Sequence, residues 1–80
     1  MTLLHQMAEV VRDLRELEVI NFWIKYEQKS KNEITFSHSS NCPYVFKKTI
    51  ECAIREAFSG YKINKLQDNS YSVVYEISCQ

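Results

Sequence analysis

"YSVVYEISC", residues 71–79, is the stretch on which the fold turns. Tyr71, Val73, Tyr75, Ile77 and Cys79 alternate with Ser72, Val74, Glu76 and Ser78. A period of two marks a β-strand with one face on a core. The run is long and apolar, as a central strand should be. Just upstream, "YKINKL" (61–66) and the turn residues "QDNS" (67–70) complete a hairpin. Lys62 and Lys65 make 61–66 a short, charged strand suited to a sheet edge.

The same alternation occurs earlier in the chain. In "VINFWIKYEQ" (19–28), Ile20, Phe22, Ile24 and Tyr26 share one face, and Asn21, Trp23, Lys25 and Glu27 the other. After the polar turn "KSKN", "EITFSHS" (33–39) sets Ile34, Phe36 and His38 against Thr35 and Ser37, giving a first hairpin. Helical periods separate the hairpins. Leu3, Leu4, Met7, Val10, Val11, Leu14 and Leu17 line one side of a helix over residues 3–17, with Thr2 as N-cap and Glu9, Arg12, Asp13 and Glu16 outside. A second helix spans residues 43–59. Pro43 suits its first position, Cys42 its N-cap and Gly60 its left-handed exit, and Phe46, Ile50, Ala53, Ile54, Ala57 and Phe58 form its buried stripe.

The order helix–strand–strand–helix–strand–strand predicts one α+β domain over residues 1–80. It is a two-layer sandwich in which a four-stranded antiparallel sheet carries both helices on one face. It is the order obtained by moving the first strand of a ferredoxin-like fold to the C-terminus, and with strands numbered along the chain it predicts the sheet order 3-4-2-1. The likeness is one of fold and says nothing of function.

Eighty residues bury roughly 63% of the extended chain's surface, enough for one modest core. Apolar residues at 45% and charged residues at 25% are ordinary for a soluble domain, and no apolar run reaches the roughly 20 residues that span a bilayer. The opening residues lack a basic leader, so a cytoplasmic location is expected. Net charge is zero but unevenly spread. Residues 25–65 carry eight Lys or Arg against four Glu, and the segments on either side are acidic. That is a solvated mixed surface rather than the concentrated stripe a nucleic acid requires.

Most chemistries fail on spacing. His38, Cys42, Cys52 and Cys79 are zinc-ligand types, but a helix would hold Cys42 and Cys52 about 15 Å apart at roughly 1.5 Å per residue. No metal or cofactor is expected. Cys42 at a helix N-terminus has the placement of an activated thiol, with His38 four residues upstream, yet no oxyanion hole accompanies it, and capping is the favoured role. Three cysteines without secretory context argue against disulfides, and Cys79 reads as a small buried hydrophobe. Glu9, Asp13 and Glu16 interleave with arginines on a solvated helix face, and a single glycine excludes a glycine-rich phosphate loop.

Surface features remain. On the sheet face away from the helices stand Trp23, Lys25, Lys62, Leu66 and Val74, and on the outer side of the second helix Tyr44, Val45, Lys48, Cys52 and Arg55. The leading expectation is a non-catalytic protein-binding module, a small regulator or inhibitor. In size alone the chain is similar to many such proteins encoded by phages and mobile elements. Its binding residues are Trp23, Lys25, Lys62 and Val74, with Tyr44 and Lys48 as a second patch. The alternatives are a nucleic-acid binder using the open sheet face, and a small thiol enzyme at Cys42. The expected partner is another protein, with an edge strand offering a route to a homodimer.

Overall fold

The computed structural model describes residues 2–16, 24–41 and 44–79. The elements run α1 (Leu3–Glu16), β1 (Ile24–Ser30), β2 (Glu33–Ser39), α2 (Tyr44–Ala57), β3 (Lys62–Asp68) and β4 (Ser72–Ser78). The four strands form one antiparallel sheet in the order β1-β2-β4-β3, as the sequence predicts. β4 therefore enters between β2 and β3, pairing Phe36 with Tyr75 on one side and Ile63 with Ile77 on the other.

Alternation then decides which face is covered. Ile34, Phe36, Val73, Tyr75 and Ile77 are buried on one face, where they meet Leu3, Met7, Val10, Val11 and Leu14 of α1 and Ile50 and Ile54 of α2. Both helices thus lie on the same side of the sheet. Ile24 and Tyr26 pack against this core from β1, while Lys25 and Glu27 are exposed, in the parity read from the sequence. Residues 17–23, which include Trp23, and Cys42 and Pro43, expected at the start of the second helix, lie outside the described residues.

Local chemistry fixes the helix ends. The Thr2 hydroxyl accepts the His5 amide at 3.1 Å, capping α1. Gly60 adopts φ 90° just past α2, a conformation that a Cβ would strain. The two helices are joined at this end, where the Tyr61 hydroxyl donates to Gln6 Oε1 at 3.1 Å and the Phe58 and Tyr61 rings meet edge-on at 5.6 Å.

Four expectations require correction. Tyr71 and Cys79 are exposed rather than core-facing: their backbones stay bonded to Ser40 and Asn32 at the two ends of β2, but the core covers β4 only at Val73, Tyr75 and Ile77. Leu4 is also exposed, at the flank of a narrower stripe of Leu3, Met7, Val10, Val11 and Leu14. β3 is no shorter than its neighbours at seven residues; its edge is interrupted instead by a bulge between Lys65 and Gln67. Lys65 itself turns toward the helices.

The two faces of the sheet should respond differently to substitution. Phe36→Ala, at a fully buried ring, should cost about 3–5 kcal/mol. Val74→Thr, on the uncovered face, should cost less than about 1 kcal/mol. Equilibrium urea unfolding measures both, and equal costs would place the core on the other face.

Candidate functional site at the junction of α2 and the sheet

The C-terminal end of β2, the first turns of α2 and the β3–β4 turn converge at one end of the molecule. Asn69 organises the turn: its Oδ1 accepts the Tyr71 and Ser72 amides at 2.8 and 3.0 Å. The turn is tied to the segment leaving β2 by Ser40, whose amide donates to Tyr71 O at 3.2 Å and whose hydroxyl donates to Asn69 O at 2.6 Å. These bonds fix Asp68 and Tyr71 beside the start of α2.

Between these elements lies a polar cleft of about 160 Å³. Tyr44, Lys47, Lys48 and Glu51 line it from α2, and Lys65, Asp68, Val73, Tyr75 and His38 from the sheet. Lys65 is held by two carboxylates, Glu51 Oε1 at 3.1 Å and Asp68 Oδ2 at 3.5 Å. The bond from Lys65 keeps the Glu51 carboxyl below the ordinary carboxylate range and raises the lysine in return. The Tyr75 hydroxyl donates to the same Glu51 oxygen at 3.4 Å, and burial raises its pKa. Lys48 Nζ lies 5.5 Å from the centre of the exposed Tyr44 ring. Neither Lys47 nor Lys48 has a carboxylate within ion-pair distance among the described residues.

His38 forms part of the cleft's inner wall and is only 1% exposed. Its Nδ1–H donates to Ser39 O at 2.9 Å, which defines the neutral tautomer because a carbonyl can only accept. The ring lies near Phe36 and Tyr75, at 6.1 and 6.4 Å between centroids. Burial lowers its pKa, reinforced by Lys47 and Lys65 and opposed by the Ser39 carbonyl and Asp68. His38 thus shares the buried face of β2 with Ile34 and Phe36, as strand parity predicts.

The open face of the sheet is different in character. Lys25 and Val74 flank Ser37 in one cross-strand row, over a shallow groove of about 110 Å³ shared with Tyr26, Glu27 and Thr35. Lys62 is not brought near them. On the opposite edge strand it pairs with Ser78, which puts it about 14 Å laterally from Lys25 across three strand spacings and four residues along β4 from Val74. Tyr44 and Lys48, by contrast, are brought together. Lys47, Glu51, Lys65, Asp68 and Tyr71 had not been singled out as binding residues. The helical spacing of Tyr44, Lys48, Glu51 and Arg55 was the available signal for the α2 wall. Cys52 and Cys79 are both exposed, and no cluster of three or more metal-ligating side chains occurs among the described residues.

Compared with known proteins, the chain matches no family model, no curated protein and no solved structure. Among the described residues no helix is long and apolar enough to cross a membrane.

The buried neutral His38 makes stability depend on pH. Its folded pKa lies below the unfolded value of about 6.5, so the stabilisation is complete above pH 6.5 and is lost as pH falls toward the folded pKa. In that window the histidine's contribution should fall by up to about 1.4 kcal/mol per pH unit, read from urea midpoints. His38→Phe should flatten this slope; an unchanged slope would remove His38 as its source.

Proposed function

We propose that this protein is a non-catalytic protein-binding module, a small regulator or inhibitor, and that it engages its partner through the end of the molecule where α2 begins. The observation that carries this reading is the exposure of aromatic side chains there. Tyr44 is 71% and Tyr71 81% exposed, Val45 lies beside Tyr44, and Leu66 protrudes from the bulge of β3. These are four of the five exposed large hydrophobics among the described residues. Tyrosine supplies large contact area at low entropic cost and is enriched where interfaces are strongest. The rigid turn and strand pairings beneath these side chains favour a preformed contact surface.

The open-face alternative has less support. Val74 is the only apolar side chain on that face in the row it shares with Lys25 and Ser37, and Trp23, its intended anchor, is outside the described residues. A nucleic acid on that face would meet Glu27 and Glu76 as well as the widely separated Lys25 and Lys62. A backbone of regularly spaced phosphates favours neither.

Affinity capture from a lysate of the source organism, using the wild type and a Tyr44→Ala/Tyr71→Ala double variant of matched circular dichroism and melting temperature, tests this reading. A protein retained by the wild type and reduced at least tenfold on the variant is expected. A partner retained equally by both, or no retained protein, contradicts it.

A further inference from the structure

We infer that the cleft between α2 and the β3–β4 hairpin receives an acidic side chain, and that the partner presents it on a peptide segment with apolar residues beside it. This rests on the protein-binding reading and specifies the chemistry that the same surface recognises.

Two features point to an anion and a third to its size. The first is charge accounting within the cleft: Lys65 is already engaged by both lining carboxylates, Glu51 and Asp68. Lys47 and Lys48 line the same cavity and have no carboxylate partner among the described residues. The second is their place in the helix. Both fall within the first five residues of a 14-residue helix whose first turn has no acidic residue. Cations at the positive end of the helix dipole are locally unfavourable, and the one carboxylate of α2 nearby, Glu51, attracts Lys48 only beyond ion-pair distance while bonding Lys65 directly. Local conflicts of this kind concentrate at functional positions. The third is size. At about 160 Å³ the cleft is below the roughly 300–1,000 Å³ of small-molecule sites, and suits a single inserted side chain.

The surroundings select a peptide over a polyanion. Glu51 and Asp68 stand in the cleft and would repel successive phosphates, whereas one carboxylate can settle between Lys47 and Lys48. Tyr44 lines the cleft and is exposed, and Tyr71 is exposed in the turn between Asp68 and Val73 of its lining, so both are available to cover apolar neighbours of that acid.

Nuclear magnetic resonance titration of the full chain with capped hexaglutamate at pH 7 tests the inference, with capped hexaglutamine and a six-residue oligothymidylate as comparisons. Hexaglutamate should shift the amides of Tyr44, Lys47, Lys48, Asp68 and Val73, and hexaglutamine should not. Lys47→Gln/Lys48→Gln should weaken the response at least fivefold while keeping a dispersed spectrum. Lys29→Gln/Lys31→Gln, at the far hairpin, should leave it unchanged. Absence of shifts at the cleft, an equal response to hexaglutamine, or tighter binding of oligothymidylate there overturns the inference. A partner captured through Tyr44 and Tyr71 alongside a silent hexaglutamate titration would sink the acidic assignment alone and leave the protein-binding reading standing.

Discussion

The structure depends on β4, the last strand of the chain, pairing on both of its edges. Residues 72–78 bond to β2 on one side and β3 on the other, so the two hairpins become one sheet only when the C-terminal strand is in place. Its side chains then set the layer arrangement. Val73, Tyr75 and Ile77 point to the helices, and a shift of one residue would turn all three to solvent. Burial of these three positions against Phe36, Ile34, Ile50 and Ile54 makes the register costly to change.

The same strand builds the floor of the cleft. Tyr75 reaches Glu51 on α2, Val73 lies opposite His38, and the turn before β4 carries Tyr71 to the surface. The core and the candidate site therefore share residues. Tyr75 has its ring buried among Phe36 and His38 and its hydroxyl in the cleft, an apolar body with a polar tip. Lys65 is the counterpart on β3. Its ammonium lies 5.7 Å from the Tyr75 ring centre while it bonds Glu51, joining helix and edge strand through one charged side chain.

Much of the fold was legible in the sequence because two periods, 2 and 3.6, are written cleanly in the apolar residues. The strand order was read from the element order by analogy with a permuted ferredoxin-like arrangement, and the apolar β4 and lysine-bearing β3 agree with it as central and edge strands. The failures share a cause. Tyr71 and Cys79 continue the alternation of β4 in sequence, but alternation determines burial only where the helices cover the sheet, and the core covers β4 only at Val73, Tyr75 and Ile77. Beyond those points the backbone is still bonded, the Ser40 amide to Tyr71 O and the Cys79 amide to Asn32 O, while both side chains stand in solvent. The cleft was less accessible still. Tyr44 and Lys48 could be placed on an outer helix face, but that Lys65 meets Glu51, 14 residues away, depends on tertiary packing that no local period encodes.

Native-state hydrogen exchange on the full chain tests the central place of β4 most directly. Amides of β4, bonded to strands on both sides, should exchange only through global unfolding and share the highest opening free energy with the β2 amides, while those of β1 and β3 open by less. If β4 exchanged as readily as the two edge strands, the last strand would be an addition to the sheet rather than the element that unites it.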